Sequence, residues 1–241
     1  MSAEKPLAID LFCGLGGWAD GLIAEGWYVV GFDIEQHVYG DERYPARLVL
    51  QDVLTLHGRQ FKDARLIVAS PPCQAYSYRA MPWSRAKALP PPDNSLFEAC
   101  FRIQREASEA AGRHIPMVVE NVRGAQKWVG RSRWNYGSFH LWGDVPALMP
   151  IAKAVKVGGI DFNGYVTPGY KAQAFNGTAE KRMREGVKNK DEDGYARSHP
   201  EGFGWKNPRT SSGSTARKAA SAMIAKIPFP LASYIGSVFK P

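Results

Sequence analysis

The chain has 241 residues, of which 44% are hydrophobic and 22% are charged. These fractions are ordinary for globular proteins and argue against a disordered chain. The length suits one buried α/β core with a small appendage rather than two full domains. No apolar run approaches the ~18 residues that a membrane span needs, and Met1–Lys5 lacks the apolar stretch of a signal peptide. We therefore expect a cytoplasmic protein.

The chain carries a formal net charge of +8. Basic side chains suit a polyanionic partner, because each one placed near a phosphate releases condensed counterions. The three cysteines are Cys13, Cys73 and Cys100, and no two of them form a Cys-x-x-Cys pair. This pattern argues against a disulfide framework and against a four-ligand zinc site. We expect a reducing compartment and no metal ion, and the charge makes nucleic acid a candidate partner.

The N-terminal region predicts a strand, a tight turn and a helix. An apolar run at Leu7–Phe12 leads into the turn Gly14–Gly17, and a helical pattern follows as far as Gly26. Further short apolar runs occupy residues 27–32, 47–50, 66–69 and 117–119. Strands that alternate with helical stretches predict an α/β fold, with a parallel sheet covered by helices on both faces. In such sheets, ligands bind beyond the carboxyl ends of the strands.

The C-terminal part of the chain changes character. Between residues 151 and 214 glycine, asparagine, lysine and aromatic residues dominate, and the apolar periodicity fades. Helical periodicity returns at 215–227, and a last helix is predicted after Pro230, ending at Val238. We expect three segments, namely a catalytic and cofactor-binding domain at 1–150, a small irregular insert at 151–214, and C-terminal helices at 215–241 that return to the first domain.

Acidic and glycine residues cluster at the predicted strand ends. The turn Gly14–Gly17 would let backbone N–H groups approach a polar ligand, although many strand-to-helix turns contain glycine without binding anything. Asp33 ends the second strand, where ribose hydroxyls are held in nucleotide-binding folds, and Asp52 follows the third, where it would reach an adenine edge. Each aspartate alone is more typical of a solvated loop. Together they indicate a nucleoside-containing cofactor.

The segment Ser70–Gln74 reads Ser-Pro-Pro-Cys-Gln and follows the fourth strand. Two prolines end the strand and present Cys73 in a fixed direction, as a nucleophile requires. A buried structural cysteine is the alternative, and it suits Cys100 and Cys13 better.

Glu120 ends the fifth strand at the same sheet edge, where a raised pKa would let it share a proton with a ring nitrogen. An N-cap or a surface glutamate is the alternative. Arg131 and Arg133 follow as candidate cations, or as part of an ordinary solvated loop.

These motifs resemble, in order, those of the cytosine-C5 DNA methyltransferases, of the small bacterial or phage type. The matching segments are Asp10–Gly17 for the first cofactor motif, Gly31–Asp33 and Asp52 for the second and third, Pro71–Gln74 for the nucleophile motif, Glu120–Val122 for the base-holding motif, and Pro228–Ala232 for the last motif. The resemblance implies a Rossmann-like methyltransferase sheet that uses S-adenosylmethionine.

The resemblance also implies a mechanism and a partner. Cys73 would add to C6 of a cytosine flipped out of double-stranded DNA while Glu120 holds N3 and the exocyclic amine, with Arg131 and Arg133 assisting. Residues 75–93 would close on the DNA, and residues 151–214 would recognise its sequence, as in restriction-modification enzymes. We expect a monomer. The implied cofactor contacts are Phe12, Gly14, Gly16, Asp33, Ile34, Asp52 and Pro72.

Three alternatives stay open. An enzyme of the same chemistry acting on RNA would read the same flipped base, since peripheral contacts choose the polymer. An amino-methyltransferase usually has an aromatic residue where this chain has Cys73. A catalytically silent DNA-binding relative would keep the fold without the reaction.

Overall fold

The computed structural model describes residues 4–76, 90–149, 159–160, 166–167, 218, 222–223 and 225–241. The strands up to residue 149 are, in chain order, β1 (Leu7–Leu11), β2 (Tyr28–Asp33), β3 (Val38–Tyr39), β4 (Glu42–Arg43), β5 (Arg47–Leu50), β6 (Leu66–Ala69), β7 (Met117–Val122), β8 (Trp134–Tyr136) and β9 (Phe139–Gly143). The α-helices are α1 (Gly17–Ala24), α2 (Ser95–Ala111), α3 (Gln126–Val129) and α4 (Phe229–Phe239). Short 3-10 helices lie at Val53–Thr55, Gly58–Phe61, Gln74–Tyr76 and Arg123–Ala125.

Seven of these strands form one sheet in the order β5-β2-β1-β6-β7-β9-β8. Strands β5, β2, β1, β6 and β7 pair in parallel, whereas β9 runs antiparallel to β7 and to β8. From β1 the chain adds β2 and β5 on one side, and it then adds β6, β7, β9 and β8 on the other side. The carboxyl ends of β1 and β6 therefore flank a topological switch point, where open α/β sheets bind their ligands. The predicted α/β fold with a mostly parallel sheet is confirmed.

Each face of the sheet carries its own apolar core, because alternate residues of a strand point to opposite faces. On one face Leu11, Ile67 and Met117 are buried against α2, which contributes Ile103 and Cys100. Both Cys100 and Cys13 are buried, in agreement with a structural role.

The other face is covered by α1 and α4. Their contact is close, since a Cβ added at Gly21 would lie 2.4 Å from the Cβ of Ala232. The indole of Trp27 donates a 3.0 Å hydrogen bond to the Gly236 carbonyl, and the side chains of Leu22 and Ile235 are fully buried between the sheet and the helices. The C-terminal helix thus completes the core next to the first turn.

Several features differ from the predictions. The hairpin β3–β4 and the strands β8 and β9 were not predicted, and Pro230 lies in the first turn of α4 rather than before it. Proline fits there because the first helical N–H groups have no intrahelical partner.

The chain divides into two units, residues 1–152 with 226–241 and residues 153–225. The predicted insert at 151–214 lies outside the described residues, except for β10 (Gly159–Ile160) and β11 (Val166–Thr167), which pair antiparallel. The predicted helix at 215–227 is described only at 218, 222–223 and 225–227, of which 218, 222–223 and 225 are helical. Among the described helices, none has the length and apolar character needed to cross a membrane.

Candidate active site

The Gly-rich turn joins β1 to α1 through backbone in the left-handed region. Phe12, Gly14 and Gly16 have φ values of 57°, 50° and 77°, of which only the two at glycine are free of steric cost. The turn is closed by hydrogen bonds from the Gly16 N–H to the Cys13 carbonyl (2.8 Å) and from the Cys13 N–H to the Phe32 carbonyl (3.1 Å). A strained non-glycine residue such as Phe12 is typical of a functional turn.

Asp33, at the end of β2, holds this turn through its carboxylate. One oxygen accepts from the Gly14 N–H (2.9 Å), and the other accepts from the Ile34 N–H (2.8 Å) and the Glu35 N–H (3.3 Å). Burial by itself would raise the pKa of Asp33, but hydrogen bonds from His37 and from these backbone groups outweigh it and leave the pKa below its usual value. The carboxylate is therefore ionised and fixed beside the turn.

The surroundings of Asp33 fit a nucleoside-containing cofactor. A Cβ added at Gly14 would meet no atom within 4 Å, so the turn faces open space. Ile34 and Leu50 are 74% and 57% exposed and supply apolar surface at the ends of β2 and β5. Asp52 caps the following 3-10 helix by accepting from the Leu54 N–H at 2.9 Å, a structural task that the sequence analysis did not foresee.

Cys73 lies just beyond β6 and is partly buried. The loop that carries it is held by both neighbouring strands. The Ser70 N–H donates to the Leu11 carbonyl of β1 (3.1 Å), and the side-chain amide of Asn121 in β7 donates to the Pro71 carbonyl (2.9 Å). The pKa of the Cys73 thiol is raised, first by burial and second by the negative charge of Glu120. In the protein without substrate, Cys73 therefore favours the thiol over the thiolate.

Glu120 lies near the end of β7, and only 9% of its surface is exposed. Burial raises its pKa to about 8, while the Ser70 hydroxyl opposes this rise by hydrogen bonding to the carboxyl. The same hydroxyl accepts a 3.0 Å hydrogen bond from the indole N–H of Trp18. The structure therefore brings Cys73 and Glu120 together, as the strand ends predicted. Ser70, Trp18 and Asn121 were not predicted as site residues, although Ser70 directly precedes the Pro-Pro-Cys segment.

Arg131 and Arg133 lie in the connection from α3 to β8, and both are exposed. Ser132, between them, is held by Gln126 (3.2 Å) and by His140 (2.9 Å), and the Arg133 N–H donates to the Leu141 carbonyl at 2.8 Å. Within the part of the chain that the structure describes, no hydrogen bond or ion pair joins either guanidinium to Cys73 or Glu120. The role of these arginines stays a prediction.

Arg123 is a further cation near this edge that the sequence analysis did not select. It follows β7 directly, and after burial its charge is the second cause of the lowered pKa of His140. In the described ranges no group of three or more histidine, cysteine, aspartate or glutamate side chains is placed to hold a metal ion. At this edge the charge of Glu120 acts on the Cys73 thiol and raises its pKa.

Comparison with known proteins assigns the chain to a family. A model of the C-5 cytosine-specific DNA methylases matches residues 7–129, just over half of the chain. The chain belongs to this family. The matched region of the C-5 cytosine-specific DNA methylase includes the Gly-rich turn, Cys73 and Glu120, whereas Arg131 and Arg133 lie beyond its end.

Solved structures similar to this C-5 methylase chain include a protein described as a DNA modification methyltransferase encoded within an E. coli prophage, with 25% identity over 52% of this chain and 34% of that one, at a TM-score of 0.37. The S. pombe Dnmt2 methyltransferase is 17% identical over 52% and 36% of the two chains, at a TM-score of 0.34. The Entamoeba histolytica methyltransferase EhMeth is 18% identical over 52% and 40%, also at 0.34. The chain thus spans between a third and two fifths of the length of these structures. No curated protein matches it.

Proposed function

We propose that this chain transfers a methyl group from S-adenosylmethionine to C5 of cytosine in double-stranded DNA, acting as a monomer with Cys73 as the nucleophile. The observation that carries the proposal is the placement of Cys73 and Glu120 at the neighbouring carboxyl ends of β6 and β7, where Asn121 holds the loop of Cys73 and an ionised Glu120 raises the pKa of the thiol. The pair lies at the switch point of the sheet, at the edge where Asp33 and the Gly-rich turn offer room for a nucleoside.

The proton on Glu120 couples the two groups. With a pKa of about 8 the carboxyl is largely protonated at pH 7, so it can donate to N3 of cytosine as Cys73 adds to C6. Cys73 gives its proton to water, the Sγ–C6 bond forms, the C5–C6 double-bond electrons move onto C5, and N3 shares the proton of Glu120. A protonated Glu120 carries no charge, so at pH 7 the repulsion that disfavours the Cys73 thiolate is largely absent before the base binds.

The cofactor would lie on the other side of the pocket. Asp33 would hold the ribose hydroxyls, Ile34 would contact the adenine ring, and Asp52 would reach the adenine edge, with Phe12, Gly14, Gly16 and Pro72 as the remaining contacts. When bound, S-adenosylmethionine supplies an electrophilic methyl group. C5 bonds to that methyl group and then loses its proton to water in the pocket. The C5–H electron pair restores the C5–C6 double bond, the Cys73–C6 bond breaks with its electrons on Sγ, and Glu120 recovers its proton from N3.

The substrate must reach this pocket as a flipped base, because C6 of a stacked cytosine is covered by its neighbours. The net charge of +8 supports binding to the phosphate backbone. We propose that Arg131 and Arg133 assist at the base and that residues 75–93 close over it. Residues 77–89 of that segment and most of the proposed recognition segment 151–214 lie outside the described residues.

The test is transfer of tritiated methyl from S-adenosylmethionine to unmethylated duplex DNA, with tRNA in parallel. Wild type, Cys73→Ser and the control Cys100→Ala, buried in α2, are compared. We expect label on C5 of deoxycytidine that disappears in Cys73→Ser and persists in Cys100→Ala. Label that survives Cys73→Ser would contradict the proposed nucleophile and favour an amino-methyltransferase. Label on tRNA alone would move the substrate to RNA, and label on neither would favour a silent DNA-binding protein.

A further inference from the structure

Trp18 connects the helix after the cofactor turn to the loop that carries the nucleophile. It lies in the first turn of α1, only 2% exposed, and its indole nitrogen is 3.0 Å from the Ser70 hydroxyl oxygen. The backbone of Ser70 is held independently by the hydrogen bond from its N–H to the Leu11 carbonyl. Ser70 is therefore held by α1 through its side chain and by β1 through its backbone.

The chemistry of the indole gives this contact a direction. An indole N–H donates and cannot accept, so the Ser70 oxygen must be the acceptor. The Ser70 hydroxyl hydrogen is then available to point elsewhere. The parallel register of β6 with β7 pairs Ala69 with Val119, so Ser70 follows at the position beside Glu120, and the Ser70 hydroxyl lowers the pKa of that carboxyl. This placement allows a chain of donation that runs from Trp18 to Ser70 and on to Glu120.

We propose that Trp18 and Ser70 are positioning residues that orient the carboxyl of Glu120. Donation from Ser70 marks one carboxyl oxygen as an acceptor, so the proton of Glu120 resides on the other oxygen, which is the one left to face the base. Buried polar groups arranged in this way hold a functional side chain in a single geometry. The inference rests on the proposed function, because proton donation from Glu120 to the base is the step that this orientation serves.

The orientation predicts a graded series of variants. Ser70→Ala removes the group that favours the ionised carboxyl, so the pKa of Glu120 should rise above its value of about 8. Trp18→Phe keeps an aromatic ring but releases the Ser70 hydroxyl to rotate, so the same rise should be smaller. Ser70→Thr keeps the hydroxyl and should restore the wild-type value. Trp27→Phe is the matched control, because Trp27 is equally buried and donates to the Gly236 carbonyl instead.

The experiment is a titration of the Glu120 carboxyl by difference infrared spectroscopy on the full chain without DNA or cofactor. The Glu120 band is identified by its absence in Glu120→Gln. The thiol of Cys73, which senses Glu120, is observed separately through its S–H band. We expect the Glu120 midpoint to rise by at least about half a pH unit in Ser70→Ala, by a smaller resolved amount in Trp18→Phe, and to stay unchanged in Ser70→Thr and Trp27→Phe.

An unchanged midpoint in Trp18→Phe, or an equal rise in Trp27→Phe, would overturn the proposal. The readout needs no turnover, so absence of methyl transfer would count against the proposed function alone. If turnover is observed, the alkaline limb of the kcat/KM profile should move upward in Trp18→Phe in step with the infrared midpoint, whereas a merely structural role would lower kcat/KM at every pH.

Discussion

Replacing Glu120 with glutamine should stabilise the fold at alkaline pH. The pKa of this buried carboxyl is raised from 4.5 to about 8 in the folded protein. A raised carboxyl pKa means that the folded state binds the proton more tightly than the unfolded chain does. The associated stability is fully present below pH 4.5 and is lost progressively as the pH rises to about 8. A tenfold change in a protonation equilibrium corresponds to about 1.4 kcal/mol, so the full loss is about 5 kcal/mol.

Glutamine has nearly the same shape and does not ionise. The difference in unfolding free energy between Glu120→Gln and wild type should therefore grow by about 1.4 kcal/mol per pH unit across this window and level off above it. Urea unfolding followed by circular dichroism between pH 5 and pH 9 measures this difference. Glu109→Gln, an exposed substitution on α2, is the matched control. Parallel stability curves for wild type and Glu120→Gln would refute the reasoning about the buried carboxyl.

Other predictions follow from the neighbouring contacts. The charge of Glu120 raises the pKa of Cys73, so Glu120→Gln should lower the pH midpoint of iodoacetamide alkylation of Cys73, as followed by mass spectrometry of its peptide. An unchanged midpoint would show that Glu120 does not act on the thiol. Asp33→Asn should weaken binding of S-adenosylmethionine about 10- to 100-fold in calorimetry, since hydrogen bonds to a charged group are worth about 1.5–3 kcal/mol. A dissociation constant within about twofold of wild type would count against the proposed ribose contact. Gly17→Ala would place a Cβ 2.3 Å from the backbone nitrogen of Ile227, so it should cost about 1–3 kcal/mol in urea unfolding, and an unaltered midpoint would contradict the close packing.

The parts of the fold that could be predicted are those with a strong local signal. Short apolar runs that end in Asp33 or Glu120 gave the correct parallel strands, because buried central strands are apolar on both faces. The strands of the hairpin β3–β4 have two residues each, and β4 consists of Glu42 and Arg43. No alternation of apolar residues therefore predicts this hairpin. Strand β8 is similarly exposed, and its pairing depends on β9 rather than on its own sequence.

The candidate site shows the same division. Cys73 and Glu120 could be brought together from sequence, because the ends of parallel strands share one edge of the sheet. The contact between Trp18 and Ser70 joins residues 52 positions apart and exists only once α1 has packed on the sheet. Likewise, nothing in the local sequence around Asp52 distinguishes a helix cap from a ligand contact, since the same carboxylate serves either purpose.

The most direct test of the covalent mechanism is trapping with duplex DNA that contains 5-fluoro-2′-deoxycytidine. Fluorine at C5 cannot leave as a cation, so methylation of the adduct prevents the release of Cys73. With S-adenosylmethionine present, wild type should form a denaturation-resistant complex whose mass equals the chain, one DNA strand and a methyl group, and peptide mapping should locate the bond at Cys73. Cys73→Ser should form none, and Cys100→Ala should form it as wild type does. Active methyl transfer without any such complex, or a complex that maps to another residue, would contradict Cys73 as the nucleophile.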